Sequence, residues 1–226
     1  VSASSDLQIR IWSALSPFRC LQIVIGHQRS VLCVHKPSGS MFATGSSDCE
    51  VKVWKIVGNS RTPVKRVLCR HSLLGHGCSV TAVQMSAAEV VSGGANGKII
   101  IWSADDGTRL RTMDAHKGSI LVLRFDTIKI ISGGSDQTIA THDIATGSKL
   151  QTLHGHGGTV NALEFDQTKI VSASMDSVMR RWPFQGHEQK VAATKFHIIE
   201  PNETLPKLAK RFGVSIAELK KWNHVD

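Results

Sequence analysis

Short apolar segments punctuated by Gly, Ser and Asp fill the first 183 residues, and they recur in a fixed internal order. Near the start, Leu7, Ile9, Ile11 and Trp12 follow the alternation of a strand, and Cys20 to Ile25 reads as the next one. The order is clearest between Gly155 and Trp182. A Gly-His pair opens that stretch, an apolar segment follows (Val160, Leu163, Phe165), and a second segment ends in a hydroxyl residue (Ile170, Val171, Ser172). A turn at Asp176 then leads into a third segment closed by Trp182. Earlier copies open at Gly26-His27, Gly75-His76 and Ala115-His116, and a partial copy precedes them. Every segment has strand length, so this region is predicted to be β-structure throughout.

The copies keep one register. The turn residues are Asp6, Asp48, Asn96, Asp136 and Asp176, giving periods of 42, 48, 40 and 40. An aromatic residue follows each by six positions: Trp12, Trp54, Trp102, His142 and Trp182. A hydroxyl residue precedes each by four: Ser2, Thr44, Ser92, Ser132 and Ser172. His27, His76, His116 and His156 precede theirs by 20 or 21. A period of about 40–45 with four short strands per unit is the signature of a β-propeller blade. The expected fold is all-β: a propeller fragment over residues 1–183 with five visible blades, the first lacking its inner strand and the last its outer one. Such an incomplete ring leaves edges open, so the chain is expected to be an internal piece of a longer protein. The 48-residue period places an insertion between Lys55 and His76, expected as a longer loop with basic residues.

These motifs resemble the WD-repeat family. The Gly-His opening and the Asp turn match closely, whereas the closing Trp-Asp is replaced by Trp54-Lys55, Trp102-Ser103, His142-Asp143 and Trp182-Pro183. The resemblance implies a buried hydrogen-bond chain in each blade. Its members would be His27, Thr44, Asp48 and Trp54; His76, Ser92, Asn96 and Trp102; His116, Ser132, Asp136 and His142; and His156, Ser172, Asp176 and Trp182. It also implies partner proteins across the face where the His-side loops and turn tips meet. By register that face holds Gln28, Ser30, Ser47, Ser79, Ala95, Lys117, Ser119, Ser135, Thr159 and Met175. Only Lys117 among these is basic, and phosphate readers use paired Arg, so no strong phosphopeptide site is expected within the blades. The stretches FDTIKIISGGSD and FDQTKIVSASMD look most like propellers of F-box-type ubiquitin-ligase substrate receptors. That role requires an F-box upstream, which these 226 residues do not contain.

After Trp182 the pattern stops. Residues 184–195 read as a linker, whose Val191-Ala192-Ala193 could lend a strand, and 196–226 as a separate small α+β module. Thr204 caps a helix with Leu205, Leu208, Ala209 and Phe212 on one face, and Gly213 suits its C-terminal stop. Ser215 with Glu218 forms a capping box for a second helix. The segment HIIEPNETLPKLAKRFGVSIAELKKWN is similar to the LysM family, truncated before its closing strand. The resemblance implies binding of N-acetylglucosamine polymers in a groove formed by Asn202, Glu203, Thr204, Leu205, Trp222 and Asn223. Asn202-Glu203 stands where the family usually has Gly-Asp, and His197 where it has Tyr.

Composition narrows the classes of function. The net charge is +9, but the basic residues are dispersed apart from Arg61–Arg70 and the tail, a solvated surface rather than a nucleic-acid footprint. No apolar run approaches the ~20 residues of a membrane span. Five cysteines without framework spacing suit reduced thiols in the cytoplasm or nucleus, with Cys20, Cys33 and Cys69 expected to act as small hydrophobes. Ser, His and Asp at fixed spacing invite a hydrolase reading, but a catalytic triad occurs once, in a cleft, and not four times in register. Cys69, His71, His76 and Cys78 have zinc-like spacing, yet His76 already opens a repeat. The chain is therefore expected to be a non-enzymatic protein-interaction scaffold without cofactor or metal. Glycan recognition by the tail and ubiquitin-ligase substrate capture are the alternatives.

Overall fold

A computed structural model describes residues 1–13, 19–58 and 66–184. The linker and the LysM-like segment with its glycan residues, from 185 onward, lie outside the described residues. Among the described residues eighteen strands form five antiparallel sheets in which chain neighbours pair. Blade I is β1 (Ser2–Ala3), β2 (Gln8–Trp12) and β3 (Cys20–Ile25). Blade II is β4 (Val31–His35), β5 (Met41–Ser46), β6 (Glu50–Val57) and β7 (Arg66–Leu74). Blade III is β8 (Val80–Met85), β9 (Glu89–Gly94), β10 (Lys98–Ser103) and β11 (Arg109–Asp114). Blade IV is β12 (Ile120–Phe125), β13 (Lys129–Gly134), β14 (Ile139–Asp143) and β15 (Lys149–Leu153). Blade V is β16 (Val160–Phe165), β17 (Lys169–Ser174) and β18 (Met179–Pro183). The first strands of blades II to V pack side by side, β4 on β8, β8 on β12 and β12 on β16. They are the inner strands. Blade I thus starts at its second strand, and among the described residues no fourth strand pairs with β18.

The core is divided into four layers, each between two neighbouring blades. Strand alternation explains the division. Side chains on a strand point to opposite faces, so Ile100 and Trp102 of β10 fill the layer toward blade II while Ile99 and Ile101 fill the layer toward blade IV. Middle strands are therefore apolar on both faces and buried throughout, as in β9 and β10. The outermost strands cover a single layer, so Met113 of β11 is buried while Leu110 is exposed.

The turn between the second and third strands repeats in every blade. In blades II to V it closes through an amide-to-carbonyl bond, from Cys49 to Ser46, Gly97 to Gly94, Gln137 to Gly134 and Ser177 to Ser174. The residue just after each turn Asp or Asn is left-handed, with φ of 70° at Leu7, 71° at Cys49, 77° at Gly97, 68° at Gln137 and 61° at Ser177. Only blade III uses glycine there, the residue for which this conformation carries no Cβ penalty.

Three expectations need correction. The insertion after Lys55 is largely strand: β6 and β7 run on as a longer hairpin, with Lys55 opposite Leu68 and Val57 opposite Arg66. Cys20 and Cys69 are exposed, because outer strands present one face to solvent, and of the three only Cys33, half-buried, packs against the layer between blades II and III. Burial pushes the Cys33 thiol up to about 12. Phe184 belongs to blade V and not to a linker. Its amide donates to Thr168, as Ile144 does to Ile128 and Ala104 to Ala88, and its ring packs on the layer between blades IV and V.

Candidate functional site

The recurrent polar residues form a network inside each blade, complete in II and V. In blade V the Trp182 Nε1–H donates to Ser172 Oγ at 2.8 Å, the Ser172 hydroxyl meets His156 Nε2 at 2.8 Å, and His156 Nδ1 meets Asp176 at 2.9 Å. Blade II repeats this with Trp54, Thr44, His27 and Asp48, every link at 2.8 Å. The ends of the chain fix part of its direction. Indole only donates and carboxylate only accepts, so the imidazole presents an Nδ1 proton to the Asp, and in the neutral ring Nε2 accepts from the hydroxyl. Burial pushes the His27 imidazole down despite Asp48 beside it, in keeping with that neutral form.

The turn aspartate also organises the backbone. Asp48 accepts from the amides of Glu50 in its own turn and Gln28 beside the His, while Asp136 accepts from those of Thr138 and Lys117. Asp176 does the same for Val178 and Gly157. Burial pushes the Asp48 and Asp136 carboxyls up, but these donors outweigh it and hold both below the usual carboxylate range.

Ser, His and Asp stand here at distances a hydrolase would use. The nucleophile is nonetheless sealed. Thr44, Ser92, Ser132 and Ser172 are at most 1% exposed. In blades II, III and V the hydroxyl is also occupied by an indole N–H. A substrate carbonyl cannot reach such an oxygen, so the repetition is structural.

Blades III and IV depart from the expected tetrads. In blade III, Trp102, Ser92 and His76 keep their links at 2.8 Å, but Asn96 does not bond the imidazole. Its single acceptor oxygen takes the Lys98 amide and its Nδ2–H donates to the His76 carbonyl at 3.0 Å. Among the described residues His76 Nδ1 is left buried without a partner, and burial without a counter-charge pushes that imidazole down to about 4. In blade IV, His116 reaches both Ser132 and Asp136 at 2.9 Å, but His142 joins neither. The imidazole is shorter than indole, and both of its nitrogens are buried and unpartnered among the described residues. Burial, with Lys149 and His116 nearby, pushes it down to about 4.

A second position changes with His142. A Cβ added to Gly26, Gly75 or Gly155 would lie 2.5, 3.1 or 3.1 Å from the outer ring edge of Trp54, Trp102 or Trp182. The residue in that register in blade IV is Ala115. A methyl group fits there because no indole occupies the space.

The residues assigned to the binding face do meet at one end of the blades. Backbone bonds of 2.9 Å join Ser47 to Ser30, Ala95 to Ser79, Ser135 to Ser119 and Met175 to Thr159. Two hydroxyls stitch neighbouring blades, Ser30 to the Ser5 carbonyl at 3.3 Å and Ser119 to the Ala95 carbonyl at 3.1 Å. Those two serines are therefore partly structural, while Gln28, Lys117, Ser135 and Met175 are exposed. Among the described residues no group of His, Cys, Asp or Glu could hold a metal ion. Cys69 faces solvent on the outer strand, and His71 bonds the Asp105 carbonyl instead.

One set of residues escaped sequence reasoning. Eight positions after each repeat His stand His35, Gln84, Arg124 and Glu164 on the inner strands. His35 Nδ1 accepts from the Met85 amide at 3.1 Å, Gln84 accepts from the Phe125 amide at 2.7 Å, and Arg124 pairs with Glu164 at 3.0 Å. Each link joins one blade to the next. The shared offset was the available signal, hidden because the residue type differs in every copy.

The comparisons agree with this architecture. The model of the WD domain, G-beta repeat, matches residues 18–55, 68–103 and 147–183, leaving out most of blade IV, and a LysM domain model matches 197–226. The ribosome biogenesis protein WDR12 homolog of Drosophila virilis is 33% identical over 116 residues, 45% of this chain and 27% of that protein. The sterol regulatory element-binding protein cleavage-activating protein of Xenopus laevis is 30% identical over 115 residues, 46% of this chain and 8% of that protein. The chain thus spans under a third of the length of these relatives. The crystal structure of the computationally designed Ika8 protein superposes with a TM-score of 0.69 at 29% identity, covering 80% of this chain and 54% of that one. With its registered strands, its His-centred networks and these matches, the chain is a WD-repeat protein carrying a LysM domain after its blades.

Proposed function

We propose that the WD-repeat region is a non-enzymatic scaffold that docks other proteins on the face formed by its paired His-side loops and turn tips. The observation that carries this reading is the row of four loop pairs in one register, 30 with 47, 79 with 95, 119 with 135 and 159 with 175. Rigid strands hold these tips, and binding residues concentrate on loops that a rigid framework positions. The WD-repeat relatives support the same reading. Replacing the exposed Gln28, Ser135 and Met175 by Arg tests it. A protein captured by the parent chain should be lost from this triple variant at unchanged melting temperature, and retention of that protein would remove the assignment of this face. Five free cysteines support residence in a reducing compartment, the cytoplasm or nucleus.

A second reading rests on the LysM match over residues 197–226. The tail would hold N-acetylglucosamine oligomers through Asn202 to Leu205 and Trp222-Asn223. Calorimetric titration of such oligomers into the full chain should give saturable heat that Trp222→Ala abolishes. No heat would leave the tail without a glycan role.

A further inference from the structure

Blade IV carries a cleft of about 560 Å³ at its outer corner, lined by Asp114, Ala115, His116, Lys117, Asp136, Thr138, Lys149, Thr152 and His154. Ala115 is the residue whose glycine counterparts touch an indole edge, so the cleft borders space that a tryptophan fills in the other blades. The acidic residues on its wall are already engaged. Asp136 accepts from the His116 ring, the Lys117 amide and Thr138. Asp114 pairs with Lys98 at 2.8 Å. The basic residues are far less committed. Lys149 Nζ gives one proton to the Ala115 carbonyl at 2.8 Å and retains two others. Among the described residues Lys117 and His154 pair with no carboxylate, although both are exposed and line the cleft.

We propose that this cleft is a binding site for an acidic side chain on a segment of a protein partner, a carboxylate seated between Lys117, Lys149 and His154. The donors favour carboxylate over phosphate. Lysine ammonium groups act as point charges, and the paired Arg forks that grip phosphate bidentately are absent from the lining. The proposal rests on the scaffold reading and gives one of its partners a chemistry. It also assigns the loss of the blade IV tryptophan a use: an indole at position 142 would occupy the space next to Ala115 and narrow the cleft floor.

The test is fluorescence polarisation of the full chain with a labelled eight-residue Glu-rich peptide, its Gln counterpart and its phosphoserine counterpart. The Glu peptide should bind saturably, and the Gln peptide should not. Exposed charge pairs contribute about 0.2–1 kcal/mol each, a factor of roughly 1.4 to 5 in affinity, so Lys117→Gln with His154→Gln should weaken binding by about 2- to 25-fold. Raising the salt to 1 M should also weaken it, because exposed charges are screened within ~3 Å there. Equal binding of Glu and Gln peptides, or no loss in the double variant, would overturn the proposal. Phosphoserine binding more than about tenfold tighter than Glu would overturn the choice of carboxylate. Peptide binding without any captured protein partner would remove only the scaffold reading. A captured partner without peptide binding would remove only this site.

Discussion

The layer between blades II and III and the layer between blades III and IV are built on the same scheme, yet one contains a tryptophan and the other does not. In the first, Trp102 is buried, fills the layer and donates to Ser92. In the second the corresponding residue is His142, buried with neither nitrogen bonded, and an alanine stands in the glycine position. The strand register is nonetheless the same on both sides, with five paired positions between β9 and β10 and five between β13 and β14. Apolar packing and the backbone ladder fix the blade, and the polar chain refines it. That ranking follows from magnitudes: burying a large aromatic side chain is worth several times the ~1 kcal/mol net of a typical hydrogen bond.

The contrast can be broken most strongly at the aromatic position. Trp54→Ala in blade II should cost about 3–5 kcal/mol, removing both packing and a bonded donor, whereas His142→Ala should cost under about 2 kcal/mol. Urea unfolding midpoints of the two variants measure the gap, and equal losses would show that the indole bond is dispensable. Acid should act on the opposite set of residues. His76 and His142 are held neutral by burial with pKa values near 4, below the usual 6.5. A depressed imidazole pKa means the unfolded chain takes up the proton first, so stability present above pH 6.5 is lost as pH falls from there toward 4. The melting temperature should drop by about 5 °C or more between pH 7 and pH 4.5, with a smaller drop in a His142→Leu variant.

A double-mutant cycle sharpens the comparison further. His142→Trp alone should be destabilising, because the Ala115 methyl occupies the indole edge. Together with Ala115→Gly it should become stabilising, with a coupling of about 1–2 kcal/mol. Additive effects would mean the two positions changed independently. Blade III offers a smaller repair. Asn96→Asp would supply the acceptor that His76 Nδ1 lacks, with an expected gain of about 1 kcal/mol and a rise in the imidazole pKa visible by NMR. The smallest effect is expected at the left-handed residue of blade IV, where Gln137→Gly should gain under about 1 kcal/mol by relieving the φ of 68°.

Most of the blade architecture was legible in the chain because its determinants are local. The spacing from Thr44 to Asp48 to Trp54 spans one hairpin, and its recurrence at 92–96–102 and 172–176–182 exposes the same hairpin again. What could not be read depended on reach and valence. Asn96 sits at the turn position as an Asp would, but where Asp has a second carboxylate oxygen to accept from the imidazole, Asn has an amide nitrogen, which donates to the His76 carbonyl instead. His142 keeps the aromatic register, but its ring is too short to meet Ser132. The extended hairpin after Lys55 was missed because paired and unpaired insertions give the same shift in period. The register of the repeats pairs Ser30 with Ser47 and Ser119 with Ser135, while the double role of Ser30 and Ser119 as stitches between blades needed the neighbouring blade to be seen.

In blades II and V the polar chain begins and ends within its own blade, from the closing aromatic through hydroxyl and imidazole to the turn carboxylate, and the shorter chains of blades III and IV cross no blade boundary either. Damage to one is therefore not transmitted along the array. Over evolutionary time a single blade can lose its indole or its carboxylate while its neighbours keep the ring segment standing. Redundancy of this kind turns repetition into a reservoir: the copy that has drifted furthest, here blade IV, is the one free to acquire a shape that the others lack.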